Sequence, residues 1–179
     1  MNATRRVAVL KFGGTSVATA DQRAIAFQRI RDAIADGFAT VAVVSAMGRP
    51  PAPYATDTLL GLIDGRAGSR NADLLLAAGE LISAAVFAEE LAATGVDAVA
   101  LTGAQAGIVT DACHGDAAIV RVEPREVEAL LERGAVPIVA GFAGATESGI
   151  PTTLGRGGTD LSAIAIGQAL AAERVDIYT

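Results

Sequence analysis

The stretch Val7-Ala8-Val9-Leu10-Lys11-Phe12-Gly13-Gly14-Thr15-Ser16 decides how this chain is read. An apolar run of branched and small residues ends on a lysine, and two glycines and two hydroxyls follow within five positions. The run predicts a buried strand from Arg6 to Phe12. A cation, bare backbone and hydroxyl donors at the end of such a strand suit the binding of phosphate. The order differs from the P-loop, GxxxxGK[ST], in which the lysine follows the glycines. A phosphate site here is therefore of another design.

The same alternation continues along the chain. Further strands are predicted at Thr40–Ser45, Ala98–Thr102, Ala118–Val122, Val136–Gly141 and Arg174–Tyr178, with Ile108–Asp111 pairing to Ala118–Val122 as a hairpin. Between them lie amphipathic or apolar helical stretches. The first is opened by a Thr19–Gln22 capping box and stopped by Gly37. A second is predicted from Asp73 to Ala93, with Asn71 as N-cap and Gly95 as its stop, and its Phe87–Leu91 face is a candidate dimer contact. A third has Pro124 at its first position and Gly134 after its end, and a fourth runs from Thr159 to about Ala172. Strand and helix in alternation predict an α/β fold, a mainly parallel sheet sandwiched between helices. The segments Gly48–Asp57 and Gly65–Arg70 read as loops.

Composition narrows the function classes. The 179 residues suffice for one domain with a sizeable core, and 51% are hydrophobic but only 4% aromatic. A net charge of −6 argues against a nucleic-acid partner, while local cations still permit a small anionic ligand. The single cysteine, Cys113, excludes an intramolecular disulfide. With one cysteine and one histidine, Cys113-His114 does not make a zinc site and reads as loop. Asp111 and Asp116 are expected to be solvated. No signal-peptide pattern and no uncharged apolar stretch of membrane-spanning length is evident, so the expected location is cytoplasmic.

Ligands of open α/β sheets bind beyond the carboxyl ends of the strands. Four predicted strand ends carry glycine and small polar groups: Lys11–Ser16, Ser45–Gly48, Thr102–Gly107 and Gly141–Gly144. Two further clusters stand out. Glu80 is the only charge in the apolar helical run Leu74–Ala88, so it is neutral or paired. It either meets an arginine of this chain or binds the ammonium of a ligand. The segment Thr152–Asp160 places Arg156 among three glycines just before a helix start. It reads either as an anion site or as a capped helix start with a solvated arginine. Taken together, Arg156, Asp160 and Glu80 offer a free α-amino acid a cation for its carboxylate and anions for its amine, leaving Lys11 for phosphate.

Six collinear segments now carry a resemblance: KFGGTSVA at Lys11–Ala18, VVSAMGR at Val43–Arg49, YATDTLL at Tyr54–Leu60, AGELISA at Ala78–Ala84, TGAQAGIVTD at Thr102–Asp111, and VAGFAGAT followed by TTLGRGGTD. The chain resembles aspartate kinase (aspartokinase) of the amino-acid kinase family, over Val7 to Thr179. The resemblance implies transfer of the ATP γ-phosphoryl group to the β-carboxylate of L-aspartate. It implies catalytic roles for Lys11 and Asp160, and nucleotide contacts from Lys11, Gly13, Gly14 and Thr15. Ser45, Thr58, Glu80, Arg156 and Thr159 are implied to bind aspartate, and Mg²⁺ to arrive with the ATP. It also implies that residues 1–179 are the N-terminal part of a catalytic domain, C-terminally incomplete and without ACT regulatory domains, expected alone to bind ATP poorly. In the full-length enzyme a homo-oligomer or association with regulatory subunits is expected. Competing readings are a kinase for glutamate or N-acetylglutamate, and a truncated non-catalytic homologue that binds an amino acid or a partner subunit.

Overall fold

The computed structural model describes residues 5–179. Five strands form one wholly parallel sheet: β1 (Val7–Phe12), β2 (Ala39–Val44), β3 (Ala98–Leu101), β6 (Val136–Ala140) and β9 (Arg174–Tyr178), in the order β3-β6-β2-β1-β9. The pleat sends alternate residues to opposite faces. Ala8, Leu10 and Phe12 pack with α1 (Ala20–Ala35) and the second half of α3 (Arg70–Ala92). Phe12, Phe27 and Phe87 form the aromatic centre of that layer. Val7, Val9, Val41 and Val43 pack on the other side with α4 (Arg125–Glu132) and α5 (Gly158–Ala169). The result is the expected helix–sheet–helix sandwich.

Three neighbouring pairings set the position of the site. Phe12 lies opposite both Val44 and Tyr178, and Val44 lies opposite Ala140. Four adjacent strands therefore finish level, and Gly13, Ser45, Gly141 and Thr179 emerge along one edge. Alternation along β1 also points Lys11 to the same face as Val7 and Val9, the face covered by α5.

A second, mixed sheet lies outside this sandwich, in the order β5-β4-β7-β8. The expected hairpin is present as β4 (Ile108–Thr110) and β5 (Ile119–Val122), with a register shift at Val109/Thr110. Its partners β7 (Ala143–Thr146) and β8 (Pro151–Thr153) carry no strand signal of their own in sequence. Thus Ala118–Val122 belongs to a separate sheet.

Several boundaries move. The long helix begins at Arg70, and Ser69 rather than Asn71 caps it, accepting the Ala72 N–H at 3.2 Å. Pro124 occupies the N-cap of α4, not its first turn. The last helix opens at Gly158 and ends at Ala169. Phe87 and Leu91 are wholly buried in the core, so they are not a surface for a dimer contact. The Gly48–Asp57 loop gives way to a short helix, α2 (Thr56–Gly61), packed on α3. Asp111 is not merely solvated: its carboxylate accepts the Cys113 and Ala118 N–H groups and shapes the hairpin loop.

Candidate active site

Lys11 is 7% exposed although it is a lysine, because β1 carries it to the end of a buried strand. Its Nζ lies 2.7 Å from Asp160 Oδ1 in the first turn of α5. A nearly buried ammonium requires such a partner. After Phe12 the chain enters a 3-10 turn, Gly14–Val17. The Gly13 N–H is committed to the Tyr178 carbonyl at 2.9 Å, and the Gly48 N–H to the Gly14 carbonyl at 2.9 Å. A Cβ on Gly14 would stand 2.7 Å from the Ala46 carbonyl oxygen. Glycine at 14 thus lets the loops after β1 and β2 touch backbone to backbone. The amides of Gly14 and Thr15 are left without a backbone partner among the described residues.

Two cavities meet over these strand ends. One, of about 280 Å³, is bounded by Lys11, Gly13, Gly14, Thr15, Gly48 and Arg49. The other, of about 240 Å³, is bounded by Lys11, Glu80, Phe142 and the first turn of α5 from Gly157 to Asp160. Lys11, Ser45 and Thr56 line both. The first has the Lys11 ammonium, the bare backbone and a second cation, the Arg49 guanidinium. The second has two carboxylates and a helix N-terminus. The arrangement can therefore present one ligand bearing phosphates and another bearing an ammonium to opposite sides of one lysine.

Glu80 is 2% exposed, and its Oε2 has no hydrogen-bond partner. Burial raises its pKa to about 8, against the opposing pull of an Ala46 backbone hydrogen bond and the Lys11 charge. No arginine among the described residues pairs with it, which removes the internal ion pair as its explanation. Gly79 brings the carboxyl into place: a Cβ there would meet Leu59 Cδ1 at 2.5 Å and the Tyr54 carbonyl at 3.2 Å. The close approach seats α2, and with it Thr56, against α3.

On the far wall, Ser45 Oγ donates to Thr159 Oγ1 at 3.0 Å, linking the end of β2 to α5. Gly141 has no room for a side chain, since a Cβ would lie 2.5 Å from Thr159 Cγ2. Lys11, Ser45, Glu80, Thr159 and Asp160 come together in one cavity, and Lys11, Gly13, Gly14 and Thr15 in the other. Two candidates stand apart. Arg156 is exposed and lines neither cavity. Thr58 also lines neither, and its Oγ1 is buried without a hydrogen-bond partner. Thr56, Phe142 and Arg49 line the cavities without having been singled out in sequence. For Arg49 a signal existed, a cation directly after a strand-end glycine. Among the described residues, no three His, Cys, Asp or Glu side chains gather as a metal cage.

The sequence profile of the amino acid kinase family matches residues 6–179. The chain belongs to the amino acid kinase family. Aspartokinase 1 of Bacillus subtilis (strain 168) is 49% identical over 177 residues, which are 97% of this chain and 44% of that protein. The aspartokinase of Geobacillus stearothermophilus is 44% identical over 97% of this chain and 42% of its own length. This amino acid kinase chain therefore spans less than half the length of the curated relatives it matches. Among solved structures, aspartate kinase from Synechocystis superposes with a TM-score of 0.78 at 40% identity, covering 97% of this chain and 28% of that one. E. coli aspartokinase III in complex with aspartate and ADP superposes with a TM-score of 0.76 at 25% identity, covering 97% and 49%. No helix among the described residues is long and apolar enough to cross a membrane.

Proposed function

We propose that this chain is the aspartate-binding part, with the phosphate-facing loop, of an aspartokinase catalytic domain. The reaction is transfer of the γ-phosphoryl group of ATP to the β-carboxylate of L-aspartate, giving 4-phospho-L-aspartate. The observation that carries this reading is the pair of cavities joined at Lys11, one bearing the buried Glu80, whose Oε2 has no hydrogen-bond partner. A buried carboxyl held near neutrality is prepared for an ammonium, which supplies the countercharge that the protein omits. An N-acetylated substrate has no ammonium and would leave Glu80 without purpose.

In this reading Glu80 and Asp160 hold the amino group, while the Gly157 and Thr159 amides and Ser45 face the carboxylates; the Gly158 N–H is already committed to the Gly155 carbonyl at 2.9 Å. Arg156, exposed one residue before the α5 N-cap, would turn inward onto the α-carboxylate. The β-carboxylate is ionised at neutral pH and needs no strong base. Lys11 would leave Asp160 for the oxygen carrying charge in transfer, and Gly14 and Thr15 would receive phosphate oxygens. Rate enhancement then comes from in-line positioning and charge neutralisation. The described residues present no carboxylate cage, so Mg²⁺ would enter on the phosphates of the nucleotide and neutralise part of their charge. The full enzyme would act in the cytoplasm as the first step toward lysine, threonine, methionine and diaminopimelate, as a homo-oligomer or with regulatory subunits. A coupled ADP-release assay of the full-length enzyme with L-aspartate, L-glutamate and no amino acid tests it. Release dependent on aspartate alone is expected, and release equal with glutamate contradicts it.

A further inference from the structure

We infer that Ser162 is a positioning residue for the amino-acid cavity, holding the Phe142 turn against the first turn of α5. The inference deepens the aspartate reading and rests on it for its ligand.

Phe142 lines the cavity and has φ +62°, in the left-handed region that bulky side chains avoid. Ala143 N–H donates to the Gly141 carbonyl at 2.7 Å, closing a three-residue γ-turn around it. Gamma-turns with positive φ at the centre are rare and strained. Such strain persists only where surrounding contacts over-determine it. Here both backbone groups of Phe142 are tied. Its carbonyl accepts the Leu154 N–H at 2.8 Å, and its N–H donates to Ser162 Oγ at 3.1 Å.

Ser162 is wholly buried on α5 and also donates its hydroxyl to the Gly158 carbonyl at 2.9 Å. A serine inside a helix often satisfies itself on the carbonyl four residues back. The second bond, to Phe142, is what makes this hydroxyl a bridge. It connects the backbone of the Phe142 turn to the Gly158 backbone, both of which line the cavity. The two are already in contact: a Cβ on Gly158 would lie 2.8 Å from Phe142 Cδ2. Without the bridge, the turn would relax toward negative φ, and the ring and the helix start would no longer share one fixed separation.

The test combines local amide exchange with ligand titration on Ser162→Ala and on Ser162→Cys, whose nearly isosteric thiol bonds weakly. The expected result is Phe142 amide exchange at least about 10-fold faster in Ser162→Ala and several-fold faster in Ser162→Cys. Amides of β1 and β2 should keep their rates, and L-aspartate affinity should fall about 10-fold in Ser162→Ala. Unchanged Phe142 exchange in either folded variant, or unchanged aspartate affinity in Ser162→Ala, overturns the inference. If the wild-type chain binds no aspartate while Phe142 exchange still accelerates in the variants, the bridge stands and the aspartate reading fails.

Discussion

Replacing Glu80 by Gln tests the electrostatic reasoning most fully, because it keeps the shape and removes the titration. Burial lifts the carboxyl from 4.5 to about 8 in the folded chain. The folded state therefore binds the proton more tightly than the unfolded one. Stability from this group is complete below about pH 4.5 and is lost as pH rises through about 8. The two values differ by an amount worth about 5 kcal/mol at about 1.4 kcal/mol per pH unit. Urea melts of both proteins at intervals from pH 4.5 to 9 should show the wild type losing stability relative to Glu80→Gln by an amount of that order. The same proton couples to binding. At pH 7 the empty site holds it, and an ammonium beside Glu80 drives it off, so titration with L-aspartate in buffers of different ionisation heat should report close to one proton released. Glu80→Gln should release none and bind far more weakly. A stability difference that does not change with pH would refute the burial argument, and aspartate binding without proton release would refute the ammonium assignment.

Other substitutions probe separate links. Lys11→Ala is expected to lower turnover by about 10²–10³-fold, the scale for loss of one donor to a developing charge, with little change in aspartate affinity; kcat and KM measured together check this. Asp73 is wholly buried and accepts from Thr153 Oγ1 at 2.6 Å and the Gly115 N–H at 3.3 Å, while its Oδ2 lies 2.6 Å from His114 Nδ1. Asp73→Ala strands these groups and should cost about 3 kcal/mol in denaturant melts. Gly79→Ala pushes a Cβ into Leu59, which should cost about 1–2 kcal/mol and, by shifting α2 and Thr56, weaken aspartate binding in a titration.

Some of this was legible because single segments carried it. The run from Val7 into two glycines marked a buried strand and the strand end that borders both cavities without outside help. Thr19 accepts the Gln22 N–H at 3.3 Å, as its place in a capping box required. The isolated Glu80 announced a buried carboxyl. What stayed hidden depends on distant partners or on very short elements. β8 has three residues and begins with a proline, and β7 contains Gly144, so neither shows the alternation that reveals a strand. Thr56 and Thr58 look equivalent in sequence. On a helix, two positions differ by about 200° in direction, so only one of them can face a given cavity. Asp73 resembles an ordinary acidic residue in a first helical turn. Its burial comes from His114 and Thr153, 41 and 80 residues away. Phe142 passes for a core aromatic, because nothing local shows its positive φ.

The central claim is that the cavity beside Lys11 recognises a free amino acid by its ammonium. Isothermal titration at pH 7.5 with L-aspartate and with N-acetyl-L-aspartate tests it directly. The two ligands share both carboxylates and differ in the charge that Glu80 and Asp160 would meet. L-aspartate should bind, and the N-acetyl compound should not bind at the same concentration. Equal binding of both, or binding of neither, would contradict it.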